Sequence, residues 1–251
     1  MRKALLLFAL LCPLSSFAEE LAVAAAADLH FAMKEIAQQF QHDTGNTLKL
    51  SFGASGNFFV QIQNGAPFDL FFSADSSYPE KLVQAGLAEP GTLFHYAVGT
   101  IVLWVPTASK LDLKQGMNVL LDPSIHKISV ANPAFAPYGR AAEQALKTAG
   151  IYERVKDKLV LGENISQTAQ FVQTGNADIG VIAESLALAP TMKSAGRYVE
   201  VSSQLYTPIQ QAVVALSSSK KKAVAKQFLE FLQQPAARAI MKRYGFSLPN
   251  H

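Results

Sequence analysis

Short apolar runs alternate with helix-period segments along almost the whole chain, and the alternation comes in two blocks. The first block predicts a strand over residues 21–26, a helix over 30–42, a strand over 47–52, a short helix over 57–64, a buried strand over 69–72 and a helix over 78–85. Phe31, Ile36, Ala37 and Phe40 give its first helix one apolar face, and Gly45-Asn46 stops it. The second block predicts strands over 99–105, 128–130, 159–161 and 179–182, with helices over 140–149 and 166–174 that end at Gly150 and Gly175. A strand over 212–216 and helices over 223–233 and 236–244 close the pattern. Parallel strands need crossover connections, and a helix between strands supplies one.

Two such blocks predict an α/β protein of two similar lobes, each a mostly parallel sheet flanked by helices. Crossing near residue 97 and returning near 208 would give lobe one residues 19–96 plus 208–251, and lobe two 97–207. No stretch between the blocks reads as a flexible linker, so the hinge is expected to be short and strand-like.

The start of the chain constrains location. Arg2 and Lys3 precede an apolar stretch, and Ser16-Phe17-Ala18 places small residues where a signal peptidase cuts. Residues 1–18 are therefore read as a cleavable secretory leader. The sole cysteine, Cys12, lies within it behind Leu11, a poor lipidation context, so the mature chain would carry no disulfide. Losing Arg2 and Lys3 leaves 20 basic against 19 acidic side chains, too even a balance for nucleic acid or an anionic membrane surface. No later segment is long and apolar enough to span a bilayer. The five histidines are scattered without metal-ligand spacing, and His30 is expected to face solvent.

Four turns precede helices: Ala27-Asp28, Ala54-Ser55-Gly56, Ala136-Pro137-Tyr138-Gly139 and Asn164-Ile165-Ser166. Helix N-termini carry unpaired N–H groups and the positive end of the dipole, so such turns can hold an anion without a charged side chain. In open α/β sheets these turns gather at the carboxyl ends of the strands, and two belong to each expected lobe. Facing lobes would bring all four to one cleft. Arg140, beside Tyr138, is expected at the rim. The turn Gly53-Ala54-Ser55-Gly56 is one residue short of a nucleophile elbow and has no evident His/Asp partner, so no catalytic residue is assigned and an enzyme is disfavoured. Lys220-Lys221-Lys222 reads as a solvated surface run.

Several segments together resemble the molybdate-binding proteins of bacterial ABC importers, the ModA family of type II periplasmic binding proteins. They are Ala24-Ala25-Ala26-Ala27-Asp28-Leu29, Ser51-Phe52-Gly53-Ala54-Ser55-Gly56-Asn57, Gly65-Ala66-Pro67-Phe68-Asp69-Leu70-Phe71-Phe72-Ser73-Ala74-Asp75, Asn132-Pro133-Ala134-Phe135-Ala136-Pro137-Tyr138-Gly139, Gly162-Glu163-Asn164-Ile165, Gly175-Asn176-Ala177-Asp178-Ile179-Gly180 and Arg243-Tyr244-Gly245-Phe246. The resemblance implies a two-lobed periplasmic binding protein, a monomer that takes molybdate or tungstate as its ligand, needs no cofactor and delivers to the membrane subunits of an importer. It implies oxyanion contacts at Ala27, Asp28, Ser55, Tyr138 and Ile165, with molybdenum or tungsten held as its oxyanion and no protein atom binding a metal cation. Ser55 would donate hydroxyl and N–H, and Tyr138 and Ile165 their N–H groups.

The chain departs from the family pattern in its first loop, where serine, or threonine with asparagine, is replaced by Ala27-Asp28. A tyrosine used by some members is replaced by Ala183. An ionised Asp28 beside an anion is unfavourable, by about 4 kcal/mol for unit charges 4 Å apart at an intermediate dielectric. Three readings are open. Asp28 caps its helix while its N–H serves the ligand, which is what aspartate does most often at a helix start. Alternatively it accepts a hydrogen bond from a protonated, phosphate-like oxyanion. In the third reading the ligand is another species, such as ferric iron held by Asp28 and Tyr138.

Overall fold

The computed structural model describes residues 18–249; the leader reading and Cys12 lie outside the described residues. The first part of the chain runs β1 (Glu20–Ala26), α1 (His30–Thr44), β2 (Thr47–Gly53), α2 (Ser55–Gln63), β3 (Leu70–Ser73), α3 (Ser77–Gln84) and β4 (Phe94–Gly99). The second part runs β5 (Ile101–Pro106), β6 (Ile128–Ala131), α4 (Pro137–Thr148), α5 (Tyr152–Val155), β7 (Leu159–Gly162), α6 (Ile165–Gln173), β8 (Ile179–Ala183), α7 (Glu184–Ala187), α8 (Pro190–Ala195) and β9 (Gly196–Glu200). The chain closes with β10 (Ile209–Ala215), α9 (Lys222–Leu232) and α10 (Pro235–Arg243).

These strands form two five-stranded sheets, β2-β1-β3-β10-β4 and β7-β6-β8-β5-β9. In the first, β1 runs parallel to β2 and β3, while β10 is antiparallel to both β3 and β4. In the second, β6 runs parallel to β7 and β8, while β5 is antiparallel to both β8 and β9. The two orders are equivalent. In each sheet the one reversed strand is the one by which the chain arrives from the other sheet: β5 after β4, and β10 after β9. The sheets are therefore mixed, with a single antiparallel strand each.

The alternating side chains of sheet one serve two cores. Leu21, Val23, Phe72 and Val213 pack with Phe40 of α1, Phe228 of α9 and Met241 of α10. Ala24, Phe71 and Val214 face the other way, against Phe58, Ile62 and Leu82. Sheet two builds its core around Trp104, Val130 and Val181 under α4 and α6, and this cluster continues into Ala27, Ala54 and Ala74 at the sheet-one loops. The two halves are thus closed on each other.

The passage from sheet one to sheet two is the single residue Thr100, and the return spans a 3-10 turn at Ser203–Leu205. The Tyr206 hydroxyl accepts from the N–H of Ile101 at 3.3 Å, tying the two crossings together. Two edge strands, β4 and β9, were not expected from sequence, and α4 begins at Pro137, three residues earlier than expected, which places Tyr138 inside its first turn.

Candidate functional site

Sheet one contributes two loops to the closed interface. After β1 the chain makes a 3-10 turn, Ala27–Leu29, before α1. After β2, extended Ala54 leads into α2, whose first residue is buried Ser55. Small residues let these turns lie close to the opposite half. The Ser55 Oγ accepts from the N–H of Ala74 at 3.0 Å, which leaves its hydroxyl hydrogen for another acceptor.

Sheet two contributes two helix starts. Pro137 occupies the first position of α4, where its missing N–H costs nothing, and Tyr138 follows. At α6 the Asn164 side chain accepts from the N–H groups of Ser166 and Gln167 at 3.0 and 3.1 Å, so the first-turn donor it leaves is Ile165. Among the described residues, no protein acceptor takes the backbone N–H of Ser55, Tyr138 or Ile165.

Ala27, Asp28, Ser55, Tyr138 and Ile165 line one small cavity between the halves. It contains no lysine or arginine. Around it the halves are pinned by hydrogen bonds: Gly56 N–H to the Phe135 carbonyl at 2.9 Å, the Ser166 hydroxyl to the Ala27 carbonyl at 2.8 Å, and the Ser185 hydroxyl to the Asp28 carbonyl at 2.8 Å. At Gly56 a Cβ would lie 2.8 Å from the Phe135 carbonyl oxygen, so only glycine permits that approach. Arg140 stands outside the cavity, at the rim, where it pairs with Asp75 at 2.5 Å and donates to the Tyr78 hydroxyl at 3.4 Å. A wider groove on the hinge side, lined by Asp75, Arg140, Gln144 and Gln210, holds this ion pair and none of the free helix N–H donors.

Asp28 corrects the capping expectation. Neither the 3-10 turn nor α1 has a side-chain cap, and the Asp28 side chain turns into the interior, 1% exposed. Its Oδ2 accepts from the Tyr138 hydroxyl at 2.9 Å and from Gln211 Nε2 at 2.6 Å. The Gln211 Oε1 accepts in turn from the Tyr96 hydroxyl at 2.6 Å. The other carboxyl oxygen, Oδ1, is buried without a partner among the described residues. Burial raises the Asp28 pKa to about 6, against the lowering effect of the bonds from Gln211, Tyr138 and the backbone N–H groups of Asp28 and Leu29. Burial, and then the Asp28 charge, hold both Tyr96 and Tyr138 well above the ordinary tyrosine range.

Gln211 and Tyr96 were not singled out from sequence. The sequence signal is slight, a Gln210-Gln211 pair at the start of an apolar strand; the structure adds a β10–β4 register shift at Gln211/Ala212, a bulge of the kind that re-aims a side chain. A Cβ at Gly99 would lie 2.0 Å from the Tyr138 hydroxyl oxygen and 2.8 Å from Gln211 Nε2, so the network also requires glycine there. His30, expected in solvent, is half-buried with its ring 4.7 Å from that of Phe52. Burial, followed by the charge of Lys34, lowers its pKa.

The family described as bacterial extracellular solute-binding protein matches residues 21–247. A molybdate-binding protein ModA of Azotobacter vinelandii is 43% identical over 231 residues, covering 92% of this chain and 91% of its own. One from Rhodobacter capsulatus is 40% identical, covering 93% of this chain and 90% of its own. A solved periplasmic molybdate-binding protein of Azotobacter vinelandii superposes with a TM-score of 0.87 at 35% identity, over 92% of this chain and the whole of that one.

Proposed function

This chain belongs to the bacterial extracellular solute-binding proteins and, among them, to the molybdate-binding ModA family, and from that membership we propose that it captures molybdate or tungstate in the cavity between its two halves and delivers it to the membrane subunits of an ABC importer. It is a binding protein and makes no covalent change in its ligand. The observation that carries the site assignment is the convergence of the free N–H groups of Ser55, Tyr138 and Ile165, with the Ser55 hydroxyl, on one cavity without a cation.

Donors of this kind suit a tetrahedral dianion. Each hydrogen bond to a charged oxygen is worth about 1.5–3 kcal/mol and, being fixed by the fold, costs little to orient. Because the donors come from both halves, the ligand binds the closed form better than an open one and shifts the equilibrium toward closure. Lobe one is taken as residues 19–96 plus 208–251 and lobe two as 97–207, hinging at Thr100 and the 3-10 turn before β10. Sulfate has the same charge and shape as molybdate, so discrimination falls to cavity size. Residues 1–18 are taken as the leader that exports a monomeric protein to the periplasm.

The ferric reading loses its chemical basis at Tyr138. A ferric site built on these two residues would take their oxygens, yet here the Tyr138 hydroxyl is engaged as a donor to Asp28 Oδ2. Among the described residues, no three His, Cys, Asp or Glu side chains gather as a metal site. Calorimetry on the mature, ligand-stripped protein tests the proposal against molybdate, tungstate, sulfate, phosphate and ferric citrate. Molybdate and tungstate should bind tightly and sulfate far more weakly. Tighter binding of phosphate or ferric citrate would refute the assignment.

A further inference from the structure

Asp28 poses a problem for a site that takes a dianion: it lines the same cavity as the anion donors, and its carboxyl is bonded to the hydroxyl of Tyr138, another lining residue. Its two oxygens are not equivalent. Oδ2 is saturated by two donors: Gln211 presents Nε2 because its Oε1 accepts from Tyr96, and the Tyr138 hydroxyl, which accepts from Gln211 Nε2 at 3.1 Å, turns its own hydrogen to Oδ2. Oδ1 makes no well-formed hydrogen bond among the described residues and is cut off from solvent, with only the backbone N–H groups of Asp28 and Leu29 near the carboxyl. A proton on Oδ1 turns this oxygen from an unpaired acceptor into a donor and removes the like charge at once.

We propose that Asp28 is protonated on Oδ1 in the ligand-bound protein and donates that proton to an oxygen of the bound oxyanion, so that each capture takes up one proton from solvent and each release returns it. This rests on the assignment of the cavity as the oxyanion site.

No cation faces Asp28, and burial outweighs the bonds from Gln211, Tyr138 and the backbone N–H groups of Asp28 and Leu29 that favour its charge. On α4 the facing group is the neutral Tyr138, and Arg140 is engaged by Asp75 at the rim. On β4 and β10 they are the neutral Tyr96 and Gln211. β2 carries only an exposed Lys49, and α6 has no titratable residue. α7 brings Glu184, itself half-buried, hydrogen-bonded by Tyr198 and raised by burial. α1 brings His30, which is held toward its neutral form, and Lys34 beside it. The Asp28 pKa, raised by burial to about 6, agrees with this, and an adjacent dianion pushes it further in the same direction. The sign follows from linkage: a group whose pKa rises on binding takes up a proton, so binding strengthens as pH falls and weakens as pH rises above the free-state value.

The test is calorimetry of molybdate and tungstate binding in pairs of buffers with different ionisation heats, between about pH 6.5 and 8.5, where proton uptake is read directly from the heat difference. The expected result is uptake approaching one proton per ligand at the upper end, with affinity falling about tenfold per pH unit. Asp28→Asn mimics the protonated group, with its amide donating where Oδ1–H did. It should bind without proton uptake and, at about pH 8, up to about a hundredfold tighter than the native protein. Tight binding by the native protein with no proton uptake at any pH would overturn the proposal while leaving the oxyanion site standing. Absence of molybdate and tungstate binding throughout would instead refute the site assignment, and this inference with it.

Discussion

The two halves share a strand order and differ in what they bring to the cleft. Sheet one supplies side-chain chemistry: the Ser55 hydroxyl and the Asp28 carboxyl. Sheet two supplies backbone, the first-turn N–H groups of Tyr138 and Ile165, and uses its hydroxyls, Ser166 and Ser185, to clamp the carbonyls of Ala27 and Asp28. One topology thus builds a half that can be retuned by side-chain substitution and a half whose donors are fixed by helix geometry. The departure from the family pattern at Ala27-Asp28 falls in the retunable half.

The largest expected effects test that division directly. Ser55→Ala removes one donor and should weaken molybdate binding by about 1.5–3 kcal/mol, or roughly ten- to a hundredfold, by calorimetry. In the other half only proline can delete a donor. Ile165→Pro sits at the first position of α6, after an extended Asn164, where proline fits the helix. It should cost a similar factor, whereas Ile165→Val should cost almost nothing. A large loss with valine would show that the side chain matters, contrary to the comparison.

Next come the glycines that allow close approach. Gly99→Ala drives a methyl group into the Tyr138 hydroxyl and should lower stability by about 1–3 kcal/mol in a denaturant melt. Gly56→Ala meets the Phe135 carbonyl across the cleft instead, so it should prop the halves apart and weaken ligand binding more than it lowers the melting temperature.

Smaller again is Tyr138→Phe, which keeps the N–H donor and removes the hydroxyl bond that lowers the Asp28 pKa. The Asp28 titration, followed by carboxyl NMR, should move upward from about 6. In the closed form this raised pKa means that Asp28 stabilises below the unfolded value, near 3.8, and that this contribution, about 3 kcal/mol, is lost as pH rises through about 6. The smallest effect belongs to the rim. Arg140 and Asp75 are 38% and 28% exposed, so Arg140→Ala should change affinity by less than about 1 kcal/mol and chiefly at low salt.

The same division explains what could be read from the sequence. The turns before α4 and α6 are legible because a helix start is a local event, although α4 begins three residues earlier than expected, and the donor roles of Tyr138 and Ile165 come from the resemblance alone. The central strands were legible because both of their faces are buried and their sequences are continuously apolar. Of the four edge strands, β2 and β7 were legible and β4 and β9 were not: polar residues interrupt them, His95 in one and Arg197 and Glu200 in the other. The three readings of Asp28 stay open in the sequence for a different reason. Local rules assign an aspartate before a helix to capping, but its partners Tyr138 and Gln211 lie 110 and 183 residues away along the chain. The first sheet brings Gln211 beside Asp28, and the closing of the two halves adds Tyr138.

The most direct test of the whole account is a crystal structure of the mature protein grown with tungstate, whose anomalous signal fixes the metal position without bias. The account predicts the oxyanion between the halves, its oxygens within hydrogen-bond distance of the N–H groups of Ser55, Tyr138 and Ile165, the Ser55 hydroxyl and Asp28 Oδ1. Tungstate seated instead in the hinge-side groove on Arg140, or held by one half alone, would contradict it.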